Sequence, residues 1–493
     1  MDWERILDWL DNPILVKHVR SRLRIQPLIT MIVVVQVLCL CIAWAGYQLG
    51  TFASGGAFGL LMSLQAIILV IMGAAQVGTA VGGARGSGIL DFHRVSPVSP
   101  AALTLGFFLG APIREYVLFA TTLPFSALCL AFGSPTVYGF VQLMIVLIAA
   151  AWLLHGLAIL NALLSKPRTS SRGVVGVIVF VLFFGGYLAL GLSRSAALVD
   201  YGLRLSFFGI SLPWLAVVLI YVSALLFFIY LACVRRMTSD RIHPLTKPQA
   251  IAAMATLAVL LLGGIWKREE YAVLNIVTLY VLVIASIVLL AMVTPSQAEY
   301  YKGLWRARKQ GRSHLPPWDD LSLNRVFLVI ACTIVLVAAT IAWQASPVPD
   351  LVVAGPVMSA FPLAIASGVL VVAYFGLALQ FFQLRFGPRG LMYFGLFLFL
   401  AWILPMVAGT ITLMASIPMN SNHPSQIVYG LSPVAGLGLT AAGAPQANVA
   451  RGIQAAAITP PLLFTFVFNS LLVAARRRVY KAFVIAAEAQ KPR

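Results

Sequence analysis

Twelve apolar stretches dominate this chain, and most approach the length of one membrane crossing. They run Leu28–Leu49, Phe58–Val81, Ile113–Ala131, Val141–Leu163, Val174–Leu192, Leu212–Val234, Gln249–Trp266, Tyr271–Val293, Val326–Trp343, Phe361–Leu384, Leu391–Ala415 and Ala455–Ala474. A hydrocarbon core about 30 Å thick needs roughly 20 apolar residues in a helix. Gln249–Trp266 and Val326–Trp343 are the shortest. Segments of this kind must be helical, because a helix pairs its own backbone N–H and C=O groups where no water can. They also lack the alternation of a β-barrel strand. The expected fold is therefore all-α: a polytopic membrane protein with about 12 transmembrane helices.

The basic residues set the orientation. Threading begins with the N-terminus in the cytoplasm. The cytoplasmic segments then carry 5, 2, 3, 4, 6, 2 and 6 Lys+Arg, which places 28 of the chain's 34 on one side. The opposite face keeps Arg194, Arg204, Lys267, Arg268 and Arg451, and Arg114 lies just inside a span. A wrong span count would scramble this bias, so it supports count and orientation together, with both termini cytoplasmic. With 61% hydrophobic and 10% charged residues, the chain is far from a soluble domain. Its net charge of +19 therefore reads as topology plus attraction to anionic membrane lipids, and no nucleic-acid partner is expected.

The first 27 residues are polar and charged, so no cleavable signal is expected. Trp3, Ile6, Leu7 and Leu10 recur at helical spacing, and Asp11-Asn12-Pro13 makes a break and a new helix start. Ile14 to Arg24 puts Leu15, Val19 and Leu23 on one face and Lys17, Arg20 and Arg24 on others, as in an amphipathic helix on the cytoplasmic leaflet. An ordinary basic flank has the same composition. Ala101 to Phe132 would reach about 48 Å as one helix, too long for one crossing. Pro112 divides it into an expected cytoplasmic surface helix and the third span. Arg114 and Glu115 then fall at the cytoplasmic end of that span, as anchors or a local ion pair. Cys39, Cys41, Cys129, Cys233 and Cys332 all lie in spans without metal-ligand spacing and read as small packing residues.

The spans group as two parallel six-helix halves, because six crossings return the chain to its starting side. Val95-Ser96-Pro97 follows the second span of one half and Val293-Thr294-Pro295 that of the other. Pro167-Arg168 and Pro388-Arg389 precede the fifth spans. The expected organisation is an amphipathic segment (1–27), a first membrane half (28–234), a linker (235–248), a second half (249–474) and a basic cytoplasmic tail (475–493). The longest cytoplasmic connection, Thr294 to Arg325, holds Lys302, Arg306, Arg308, Lys309 and Arg312. It suits either partner docking or the membrane surface. The longest outer connection, Ser416 to Gln454, is apolar in its middle.

Catalytic motifs are missing. There is no Gly-x-x-x-x-Gly-Lys-Ser/Thr loop, no His-Glu-x-x-His and no Gly-x-Ser-x-Gly, so no enzyme activity and no bound cofactor are expected. Span centres hold no Asp, Glu, Lys or Arg, the residues that proton- and sodium-driven carriers commonly place there. His155 reads as a hydrogen-bonded packing residue more readily than as a proton relay. Gln36, Gln65, Gln76, Gln142 and Asn275 either line a path or bond helices together. A pump without these parts needs a separate ATPase on its basic face.

The connection between the second and third spans reads Ala84-Arg85-Gly86-Ser87-Gly88-Ile89-Leu90-Asp91-Phe92-His93-Arg94-Val95-Ser96-Pro97-Val98-Ser99-Pro100 and continues as a helix with Gly106. This resembles the permease subunits of type-2 ABC exporters, as do the Asn12-Pro13-Ile14-Leu15-Val16-Lys17 opening and Tyr429-Gly430-Leu431-Ser432-Pro433 before the last span. The family's Glu before its Arg-Gly pair is absent; Gly83 and Ala84 stand there. The resemblance implies an exporter permease in the bacterial inner membrane, working with an ABC ATPase subunit that binds the ATP. It implies ATPase coupling through Arg94, Ser96, Pro97, Ser99 and Pro100. By extension Pro295 and Arg306 belong to a second contact, which makes one chain a pseudo-dimer, with a homo-oligomer as the other arrangement. A major-facilitator carrier is the rival. Its Gly-x-x-x-Asp-Arg/Lys-x-Gly-Arg-Arg signature and long central loop are absent here. A non-transporting membrane scaffold is the third class.

Overall fold

The computed structural model of the chain describes residues 12–52, 55–132, 136–165, 203–240, 242–266, 272–312, 314–345, 361–415, 425–433, 436–437 and 447–489. The expected helix around Trp3 to Leu10, the span Val174–Leu192, the Pro167-Arg168 pair and most of the long outer connection lie outside the described residues. Apart from one two-stranded hairpin, the described structure is helical. Ten of its helices are long and apolar enough to cross a membrane. The chain is thus an all-α, multi-pass membrane protein.

It divides into two compact units, Met1–Leu205 with Ser211–Pro244, and Ser206–Ile210 with Leu245–Arg493. The division after Pro244 falls inside the segment read from sequence as the linker. Residues 206–210 group with the second unit, although the sequence reading put them in the first half.

In the first unit, α1 (Pro13–Arg22) precedes the span α2 (Ile25–Gln48), and α3 (Gly56–Gly86) is the second span. The short α4 (Ile89–Val95) and α5 (Pro100–Gly110) lead to α6 (Ile113–Ala131) and α7 (Val137–Leu164). The chain then passes through the hairpin β1 (Arg204–Phe207) and β2 (Ile210–Pro213), whose residues 206–210 belong to the second unit, before α8 (Trp214–Thr238). The core lies between α3, α6 and α7, where Leu69, Val77, Val81, Leu118, Ala151 and Ile159 are at most 1% exposed. α2 is peripheral. Ile29, Val33, Val37, Leu40 and Trp44 on it are all more than half exposed. So continuous an exposed apolar face suits lipid rather than water.

One expectation about this unit changes. α5 is no surface helix: it packs against α1, α3, α7 and α8 and buries Leu103, Gly106, Phe107 and Phe108. Its sequence, PAALTLGFFLG, has no charge on any side, and a helix apolar all round must be covered all round. α1 supplies part of that cover. Asn12 caps it, accepting from Ile14 N at 3.0 Å and donating to Ala102 O, and buried Ile14 sits over Gly106. A Cβ at Gly106 would lie 2.8 Å from Ile14 Cβ, so the close approach needs glycine. Burial, then the charges of Arg22 and Lys17, lower the His18 imidazole to about 4, so it packs neutral beside Phe107. Lys17, Arg20 and Arg24 remain exposed.

In the second unit, α10 (Ala272–Val293) and α12 (Arg325–Ala345) pack against α13 (Phe361–Phe386), and α9 (Lys247–Ile265) packs against α10 and α12; α11 (Gln297–Lys309) lies between α10 and α12 in the chain. α14 (390–415) contains a π-helical turn, Phe399–Ile403. α15 (Ser425–Gly430) is short, and α16 (Ala447–Ala489) runs 43 residues. α13 packs along α16, and aromatic rings fill the space between α13, α14 and α16. Phe382 lies 5.8 Å from Phe468, and Phe397 lies 5.0 Å from the same ring. The basic stretch read as a tail is the continuation of α16, which carries Arg476 to Arg478 on one unbroken helix.

Candidate functional site

The connection between α3 and α6 is built from a stop, a turn and a restart. α4 ends at Ser96, whose hydroxyl donates to His93 O at 2.7 Å. Pro97 follows and is exposed. Ser99 Oγ then caps α5, accepting from Ala102 N at 3.1 Å, and Pro100 takes the first helical position. Proline fixes φ and disfavours helix in the residue before it, so the turn is stiff by covalent structure.

Arg94 does not face outward. Its side chain is 12% exposed, and its guanidinium donates to Asp240 Oδ1 at 2.7 Å, Asp91 Oδ1 at 2.6 Å, Met237 O at 2.9 Å and Arg236 O at 3.1 Å. Arg85 reaches the other oxygen of Asp240 at 3.2 Å and the carbonyls of Ala162 and Ser165. Arg236 donates to Asp240 O, Ile242 O and Leu163 O at 2.6, 2.9 and 3.0 Å. Three arginines around one aspartate thus tie α3 and α4 to the ends of α7 and α8. Burial alone would raise the Asp240 carboxyl, but the hydrogen bonds and charges of Arg94 and Arg85 outweigh it and hold the group below its ordinary value. The expected outward contact of Arg94 is replaced by this internal brace.

What the brace presents is apolar. Ile89, Phe92 and Val95 follow at intervals of three along α4 and are 40%, 68% and 84% exposed. Leu90, on the opposite side, is buried. His93 lies beside the stripe. Burial and then the charge of Lys17 pull its imidazole below the ordinary value, so no positive charge stands there near neutral pH.

The expected counterpart in the second unit is built differently. Thr294 and Pro295 are buried immediately after α10, so Pro295 presents nothing. Ser296 and Glu299 form a capping box that starts α11, whose Tyr300, Gly303, Leu304 and Ala307 are buried. Arg306 is half exposed and ion-paired with Asp319. Lys247, 1% exposed, reaches across the loop and donates to Ser322 Oγ at 2.6 Å, Ser322 O at 2.8 Å and Pro317 O at 3.2 Å. The structure brings Ser96, Pro97, Ser99 and Pro100 together with Arg94 in one unit. It forms no such turn around Pro295.

The polar residues inside the spans are joints between helices. Gln36 donates to Thr121 O at 2.9 Å. Gln65 donates to Thr122 and Ser126 hydroxyls at 2.8 and 2.9 Å. Gln76 accepts from Arg22, and Gln142 from Trp214. Asn275 is buried. His155 lies against a π-helical turn of α3, Ile67–Met72. Its Nε2 sits 3.0 Å from Leu69 O and its Nδ1 3.3 Å from Tyr116 Oη. A carbonyl can only accept, so Nε2 carries the proton and Nδ1 accepts from Tyr116. Arg114 and Glu115 form the expected local ion pair, at 2.7 Å, but Glu115 is completely buried. Cys39, Cys129 and Cys233 are buried packing residues, and the five thiols are free.

Asp240, Arg85, Arg236 and Lys247 are the residues sequence reasoning missed. Asp240 lies 146 residues from Arg94, and no local pattern announces such a pairing. A lone acid in a basic linker was the one available signal. Among the described residues, no cluster of His, Cys, Asp and Glu is arranged to hold a metal ion. Comparison with protein-family models, with curated proteins and with solved structures gives no match for the chain.

Proposed function

We propose that this chain is the integral permease subunit of an ATP-driven exporter in a bacterial inner membrane, with twelve spans, both termini cytoplasmic, and a separate ABC ATPase docked on the cytoplasmic face. The observation that carries the reading is the α3–α6 connection, where an exposed apolar stripe, Phe92 and Val95, stands on a multiply hydrogen-bonded brace. Force from a partner passes through a part that is both sticky and rigid. The apolar side chains supply the contact, at about 1.5–3 kcal/mol for each side chain fully covered. The arginine–aspartate brace links it to α3, α7 and α8. Arg94 and the two prolines then act as stiffeners rather than as contacts, and the loop around Arg306 supplies the second docking surface.

The test is co-expression with ABC ATPase subunits from the same genome. Replacing Phe92 and Val95 together with Asp should cut ATPase capture at least about tenfold, while membrane insertion and the melting temperature stay near the parent's. ATP-dependent transport in vesicles should fall with it. Equal capture by this variant would reduce the connection to a plain link between spans. A major-facilitator-type carrier is the alternative, favoured by one observation: Glu115 and His155 are titratable groups buried among the spans. Transport driven by a proton gradient without ATP would select it.

A further inference from the structure

In the second unit, Arg325 is a cation without a counterion among the described residues. It is the first residue of α12, held in place by its neighbour Asn324. Asn324 N donates to Gln380 Oε1 at 2.9 Å, and its side-chain amide donates to Thr294 Oγ1 at 2.9 Å. The Arg325 Nε and Nη2 atoms are buried and have no hydrogen-bond acceptor. Another cation, Arg476 of α16, acts on it and disfavours its charge, opposed in part by Tyr300. That end of α16 is seated beside α11 and the following loop, with Trp305 5.2 Å from Phe483 and His314 6.2 Å from Tyr480. The acids of α11 and the following loop are engaged elsewhere. Glu299 bonds Ser296 N, Asp319 pairs with Arg306, and Asp320 acts on Lys247.

Buried guanidinium donors are costly unless an acceptor reaches them, and two like charges side by side add to the cost. An anion removes both penalties. Arg presents paired N–H groups that match a phosphate bidentately. Position selects the source: Arg325 begins an apolar helix long enough to cross the bilayer, and Arg476 follows the apolar run of α16. Residues that flank apolar spans in this way fall near the phospholipid phosphates of a bilayer, and basic pockets between spans take such groups. We propose that Arg325 and Arg476 form a binding site for a phosphate-bearing anion, occupied in the membrane by the headgroup of an anionic phospholipid. The site does not depend on the exporter reading.

The purified full chain, reconstituted in phosphatidylcholine nanodiscs, provides the assay. Phosphatidylglycerol added at increasing fractions should raise its melting temperature saturably. Arg325→Gln should raise the half-saturating fraction about tenfold, the loss of one charge-assisted contact. Arg325→Lys should fall between, since a point charge lacks the fork. Arg476→Gln, at an exposed position, should weaken the response with no folding defect. Arg312→Gln, a basic residue outside the pair, should leave it unchanged. A second arm adds inorganic phosphate against chloride of equal ionic strength in detergent. The same Arg325-dependent shift there, unmatched by phosphatidylglycerol, would keep the anion site and assign it to free phosphate. If Arg476→Gln and Arg325→Lys respond to both probes like the parent, the proposal is overturned.

Discussion

Asp240 shows how much one side chain can decide. It answers two arginines with its two oxygens while its own carbonyl receives a third. Replacing it by Asn removes the charge that Arg85 and Arg94 share and should destabilise the protein by about 1–3 kcal/mol at pH 7. The pH dependence has a definite sign. The folded carboxyl titrates below its unfolded value of about 3.9. Its contribution is therefore complete above about pH 4 and is lost as pH falls through the folded value. Melting temperatures of parent and Asp240→Asn between pH 3 and 7 should differ at neutral pH and converge on acidification. Parallel curves over that range would mean that the charge contributes nothing. None of this was legible in sequence, where Arg94 reads equally well as an outward hook. A charged residue's direction is set by what the fold places beside it.

Among the elements, α3 is the one whose irregularity has a visible cause. Its π-helical turn lies where His155 of α7 bonds the Leu69 carbonyl, and π turns gather at sites of special geometry. The next residue after the turn, Gly73, has no room for a side chain: a Cβ would lie 2.4 Å from His155 Nε2. Gly73→Ala should therefore lower stability by about 1–3 kcal/mol through overpacking. Combining it with His155→Ala should recover part of that loss, because the second change removes the clashing ring. A double-mutant cycle on the purified protein measures the coupling, and additive losses would show that Gly73 and His155 do not meet. The described spanning helices were readable from hydropathy, most with ends close to those found, although α16 runs well past both ends of Ala455–Ala474. The π turn was not, since it follows from a partner 86 residues away in the chain.

At the scale of the molecule, the basic residues predict how the chain is threaded. In a cysteine-free background, a membrane-impermeant thiol reagent applied outside should label Arg204→Cys and leave Arg312→Cys unlabelled until the membrane is opened. The reverse pattern would invert the topology. The sequence by itself determined that this is a helical, multi-pass membrane protein and roughly where its chain divides. Those follow from two forces that act residue by residue, the cost of apolar surface in water and the cost of unpaired backbone in lipid. Only the tertiary structure decided that α5 is enclosed rather than spread on a surface, that Arg94 braces rather than docks, and that Arg325 lacks an acceptor. Each depends on which distant groups share a few ångströms. Hydrogen bonds and ion pairs act at that range, and no periodicity along the chain encodes it.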